Sequence, residues 1–86
     1  MAERTVAVAA RVGLHARPAM LFTQAVSASG ADVTIARPGE TPVDASSILS
    51  IMGMGVKNGD EVVLASEDES VLDSLVELLD TDLDAS

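Results

Sequence analysis

The stretch VGLHARPAMLFTQAVSASG, from Val12 to Gly30, decides how this chain folds. Val12-Gly13-Leu14-His15 reads as a loop, with Gly13 as its punctuation. A helix is predicted directly after it, from about Ala16 to Ala28. Pro18 fits only the first turn, where backbone N–H groups lack intrahelical partners in any case. On a helical wheel Pro18, Ala19, Phe22, Ala25 and Val26 share one face, which is expected to be buried. Met20 falls on the opposite side with Arg17 and Gln24. Gly30 closes the helix.

Working outward, Thr5–Ala9 alternates weakly and reads as a strand before the loop. Val33-Thr34-Ile35 is a second strand. Arg37-Pro38-Gly39-Glu40 is a turn with Pro and Gly in favourable order, and Thr41–Val43 completes a hairpin. Asp44-Ala45-Ser46-Ser47 offers N-cap residues for a short helix from about Ser47 to Met52, which Gly53 and Gly55 stop. Lys57-Asn58-Gly59-Asp60 is a turn, and Glu61–Ala65 a fourth strand. Glu67-Asp68-Glu69-Ser70 opens the last helix, its acids well placed against the positive N-terminal end. Leu72, Leu75, Val76, Leu79 and Leu83 form that helix's apolar stripe. The order β-α-β-β-α-β-α describes one α+β domain over residues 1–86. Such an order suits an antiparallel sheet with helices packed on one face.

Composition narrows the function. A chain of 86 residues buries about 60–65% of its surface, so its core is small. Hydrophobic residues make up 48%, too many for intrinsic disorder. There is no Cys and one His, which excludes disulfides and a structural zinc site. Phe22 is the sole aromatic residue, so stacking platforms for single-stranded nucleic acid are missing. The net charge is −9. All five basic residues lie before residue 60, whereas the last 27 residues hold ten acids and no base. Repulsion from nucleic acid and from anionic membranes follows. The longest apolar run, Val6 to Ala10, is far below the roughly 18 residues that a membrane span needs. It also lacks the flanks of a signal peptide, since Glu3 precedes it and Arg11 ends it. A cytoplasmic, monomeric protein is expected.

His15 stands out by its position rather than its type. It sits where a Gly-containing loop meets a helix start, and free N–H groups there suit an anion. Arg17, two residues on, can reach the same anion with a planar fork of donors. The imidazole offers a ring-nitrogen lone pair as a nucleophile. A nucleophilic ring with phosphate donors already in place is what reversible phosphoryl transfer requires.

The run Gly13-Leu14-His15-Ala16-Arg17-Pro18-Ala19 resembles the active-site signature of the HPr family. These are the histidine-containing phosphocarriers of the bacterial phosphoenolpyruvate-dependent sugar phosphotransferase system. Length, element order and a short second helix after the hairpin extend the resemblance over the whole chain. It implies a βαββαβα open-faced sandwich, with a four-stranded antiparallel sheet covered on one face by three helices. It also implies that His15 takes a phosphoryl group on Nδ1 from phosphorylated enzyme I and passes it to IIA domains of sugar permeases. Arg17 would stabilise the phosphate. The chain would be a carrier rather than an independent catalyst and would bind no cofactor. Mg²⁺ and phosphoenolpyruvate would be needs of enzyme I. A regulatory paralogue that signals without feeding sugar uptake would carry the same His15 site.

Ser46-Ser47-Ile48-Leu49 resembles a second landmark, the regulatory serine that an ATP-dependent HPr kinase modifies in some members. Aligning Ile48 with the Ile that commonly follows that serine places the equivalent at Ser47. The usual Ser-Ile-Met-Gly core is here Ser47-Ile48-Leu49-Ser50, with one extra residue near Pro42. Read without the resemblance, Ser46 or Ser47 simply caps the helix. Ile48, Leu49 and Met52 are either core residues or, with Met20, a docking patch. Exposed apolar groups and adaptable Met side chains suit a protein that fits several partners. Many members carry more positive charge beside the site, where this chain has Gln24 and Ser50. Added salt is therefore expected to slow transfer from enzyme I little. Asp80-Thr81-Asp82-Leu83-Asp84 spaces carboxylates like the start of a calcium loop, but the Gly and the closing Glu are absent. Gly53–Gly59 lacks the Gly-Lys-Ser/Thr ending of a nucleotide loop.

Overall fold

The computed structural model describes residues 1–81. Elements follow in the order β1 (Ala2–Ala7), α1 (Ala16–Ser29), β2 (Thr34–Ala36), β3 (Val43–Asp44), α2 (Ile48–Gly53), β4 (Glu61–Ser66) and α3 (Glu69–Leu79). The four strands form one antiparallel sheet in the order β1-β4-β2-β3. Inward residues meet across it, as in Val6 opposite Val62 and Ile35 opposite Leu64. These four are buried, together with Phe22 and Val26 of α1, Ile51 of α2, and Leu72, Leu75 and Leu79 of α3. The alternate residues Thr5, Ala7 and Glu61 face water. This two-step alternation is what a sheet with one covered face requires.

Strand limits depart from the sequence reading. β1 begins at Ala2 rather than Thr5 because β4 offers partners as far as Ser66, opposite Ala2. It ends at Ala7 rather than Ala9. Val8 still donates to the Asp60 carbonyl (3.0 Å), but Ala9 turns to the Leu79 carbonyl at the end of α3 (2.9 Å). β3 is Val43–Asp44 rather than Thr41–Val43, since its pairing with β2 runs from Ile35–Val43 to Thr34–Asp44. α2 starts one residue later than expected and includes Gly53, so that glycine does not stop it. α1 matches closely, from the expected first residue to one past the expected last, with Gly30 at φ 71° as its cap.

Two helix-face expectations are also revised. Ala25 is half-buried and Thr23 is buried instead. The Thr23 hydroxyl donates to the Met20 carbonyl one turn back (3.0 Å), which lets a polar residue enter the core satisfied. Val76 of α3 is half-buried, and Leu83 lies outside the described residues. No helix among the described residues is long and apolar enough to cross a membrane.

Candidate functional site

A tight approach between two loops sets the position of His15. Gly13 has φ 73°, and a Cβ there would stand 2.2 Å from the Val56 carbonyl oxygen. Both conditions demand glycine. The Leu14 N–H donates to that same Val56 oxygen (3.0 Å), and the Leu14 side chain is fully buried. Asn58 and Gly59 hold the other end of the loop. The Asn58 amide donates to the Ala9 carbonyl (3.0 Å), and the Gly59 N–H to the Val8 carbonyl (2.8 Å). His15 therefore follows a stretch anchored at Val8, Ala9 and Leu14.

His15 is the N-cap residue of α1, with extended backbone (φ −129°, ψ 163°). Its side chain caps nothing, although a residue at this position usually accepts a bond from the first turn. The ring is half-buried. The next residue, Ala16, has φ 49° and is the one described non-glycine residue with positive φ. For a residue with a Cβ this conformation costs about 1–2 kcal/mol. Helix geometry leaves the N–H groups of Ala16 and Arg17 without intrahelical partners, while Pro18 has no N–H to satisfy. The Ala19 N–H closes the first turn on the His15 carbonyl (3.4 Å).

Charge around this turn favours an anion. From Arg11 to Ser29 the sequence holds two arginines and no acid. Arg17 is exposed and makes no hydrogen bond or ion pair among the described residues. Its guanidinium is available to a ligand. The structure thus brings together a half-buried imidazole, an unused guanidinium and an open helix N-terminus within three residues. Such a group can accept and hold a tetrahedral oxyanion on the ring.

The second helix packs against α1. Leu49 is 82% exposed, Met20 45%, Met52 39% and Ile48 37%. All four are large apolar side chains in water, while Ile51 alone takes α2 into the core. Val12, half exposed in the His15 loop, joins them. The sequence reading overlooked Val12 because a loop residue has no periodicity to flag it.

The two serines before α2 differ. Ser47 is the N-cap, and its Oγ accepts from the Ser50 N–H (3.3 Å). Ser46 precedes the helix and donates its hydroxyl to Asp44 Oδ1 (2.7 Å). The backbone N–H and then the hydroxyl of Ser46 hold the Asp44 carboxyl below the usual range. Among the described residues no cluster of three His, Cys, Asp or Glu could hold a metal ion. Asp82 and Asp84 of the calcium-like spacing lie outside them.

Comparison with known proteins agrees along nearly the whole chain. Residues 2–81 match the family described as PTS HPr component phosphorylation site. The phosphocarrier protein HPr of Streptomyces coelicolor is 51% identical over 69 residues, 80% of this chain and 74% of that protein. The HPr of Haloferax volcanii is 41% identical over 83 residues, covering 92% of this chain and 93% of its own. The crystal structure of HPr from Bacillus anthracis superposes with a TM-score of 0.84 at 32% identity, covering 91% of this chain and 95% of that one. The chain belongs to the HPr family of phosphotransferase-system phosphocarriers, which are not independent catalysts.

Proposed function

We propose that His15 is the phosphoryl acceptor, taking the group on Nδ1 from phosphorylated enzyme I and handing it to IIA domains of sugar permeases in the cytoplasm. The ring lone pair attacks phosphorus, and the bond from phosphorus to the donor breaks with its electron pair leaving on the donor. Transfer onward reverses these roles. Arg17 and the first-turn N–H groups meet the phosphoryl oxygens, where charge must be stabilised in both directions. The observation that carries this reading is the uncapped His15 at the start of α1. A residue placed for stability would cap the helix, whereas this one leaves both the ring and the N–H groups open.

Met20, Ile48, Leu49 and Met52 form the proposed contact surface for these partners. Their exposure on two packed helices supports it. Ser47 is the proposed site for an HPr kinase. A phosphate at a helix N-cap is electrostatically favoured, and it would introduce a dianion on that surface.

Intact mass after incubation with enzyme I, Mg²⁺ and phosphoenolpyruvate tests the first reading. One added, acid-labile phosphate on the wild type and none on His15→Ala is the expected result. No addition from an enzyme I shown to be active on another carrier would overturn it. For Ser47, ATP and the kinase should give one acid-stable phosphate that Ser47→Ala lacks and Ser46→Ala retains.

A further inference from the structure

We infer that Arg37 is a positioning residue for His15, acting through the loop of residues 54–60; the inference rests on the phosphocarrier reading above. Arg37 directly follows β2 and spreads its guanidinium over both ends of that loop. Nη2 donates to the carbonyls of Gly55 (2.8 Å) and Met54 (3.3 Å). Met54 is the C-cap of α2, so these are carbonyls left open where the helix ends. Nη1 donates to Asp60 Oδ2 (3.1 Å), which also accepts the Lys57 N–H (3.0 Å). The Lys57 N–H and then the Arg37 guanidinium hold the Asp60 carboxyl below the usual range, so the clamp stays charged at neutral pH. One side chain thereby ties β2 to the end of α2 and to the turn before β4.

The middle of the clamped loop is the surface against which the His15 loop rests. Val56 receives the Leu14 N–H, and its oxygen occupies the space that a Cβ on Gly13 would need. Leu14 is fully buried and His15 is the next residue. A shift of Val56 passes to Leu14, which is buried against it, and then to the imidazole. Both Nη groups of Arg37 are engaged within the fold, so it acts through the loop rather than on phosphate. The fork is essential, because a lysine ammonium could pair with Asp60 but not span the Met54 and Gly55 carbonyls as well.

The test compares Arg37→Ala and Arg37→Lys with Arg4→Ala. Arg4 is likewise engaged by its guanidinium, through two ionic contacts to Glu69 and Asp73 of α3, but touches neither loop among the described residues. Each variant is used at a temperature where circular dichroism shows it folded. Three readouts are taken: steady-state transfer from enzyme I, chemical phosphorylation by phosphoramidate, and the backbone amide signals of residues 13–17 by NMR.

Arg37→Ala is expected to lower kcat about 5–20-fold at an unchanged KM, since misplacing a reacting group costs orientation. It should slow the phosphoramidate reaction and shift the amide signals. Arg37→Lys should fall between Arg37→Ala and wild type, and Arg4→Ala should match wild type in all three. Arg37→Ala within twofold of wild type with unshifted amides would overturn the inference, as would an equal loss in Arg4→Ala. If Arg37→Ala does not fold, Arg37→Lys and Asp60→Asn are judged by the same criteria. If the wild type accepts phosphate from phosphoramidate but not from enzyme I, the partner assignment fails. The phosphoramidate rates and amide shifts then still decide the role of Arg37.

Discussion

The first turns of α1 and α3 face the same problem and treat it oppositely. At α3, Asp68 accepts from the Ser70 and Val71 N–H groups (3.1 and 3.2 Å), and Glu69 adds a negative charge in the first turn. Arg4 then engages Glu69 and Asp73. At α1, His15 caps nothing, the first turn has no acid, and Arg17 is unengaged among the described residues. α3 settles its N-terminal charge internally, whereas α1 leaves the same positive field for something that arrives from outside. Within one chain, stability and availability have been assigned to different helix starts.

The largest effect should come from the open end. His15→Ala is expected to lower phosphoryl uptake from enzyme I by more than about 1,000-fold, with unchanged circular dichroism. Measurable uptake by this variant would place the acceptor elsewhere. Gly13→Ala should come next, because it forces a Cβ into the Val56 carbonyl from a left-handed backbone. A loss of about 2–4 kcal/mol is expected in urea unfolding followed at 222 nm. Arg17→Ala should slow transfer roughly 10–100-fold, the worth of one charge-assisted contact, with Arg17→Lys recovering part of it.

Smaller effects sharpen the contrast from the closed end. Asp68→Ala should lower the melting temperature by about 5 °C and leave transfer untouched. His15→Asn supplies α1 with the cap it lacks and should raise the melting temperature by about 2–5 °C while abolishing transfer. A His15→Asn protein no more stable than wild type would show that the N-terminus of α1 is already satisfied. Acid provides the last comparison. The Ser70 hydroxyl and then the Val71 N–H hold the Asp68 carboxyl below its usual range. Its contribution is therefore full above the ordinary carboxylate value of 3.8 and is lost as pH falls through the lower folded value. Asp68→Asn should show a shallower decline in unfolding midpoint between pH 4 and 2 than wild type.

The sequence revealed local punctuation better than long-range contact. α1 could be placed to within a residue because Gly13, Pro18 and Gly30 each mark a boundary by their own backbone chemistry. The opening of α3 was equally plain from Asp68 and its acidic neighbours. The start of β1 is not legible, because Ala2, Glu3 and Arg4 carry no clear alternation and only β4 defines where pairing starts. Thr23 entered the core because its hydroxyl finds a carbonyl on its own helix, which a count of apolar residues ignores. The candidate site divides the same way. His15 and Arg17 stood out as a contiguous run, whereas the contact of Gly13 with Val56 joins residues far apart in sequence and leaves no local trace. In the sequence Arg37 is merely the start of a turn, since its partners Met54, Gly55 and Asp60 become neighbours only in the folded chain.

The pairing of β1 with β4 joins residues some 60 positions apart. Among the described residues the first strand has no other neighbour in the sheet, and the support for Leu14 comes from Val56, more than 40 residues on in the sequence. A nascent chain that has emerged as far as α1 already carries the complete GLHARPA run, yet nothing to hold its histidine in place. Contacts of such wide sequence separation form slowly and late. During synthesis the His15 loop is therefore held in place only after Val56 has followed it out of the ribosome.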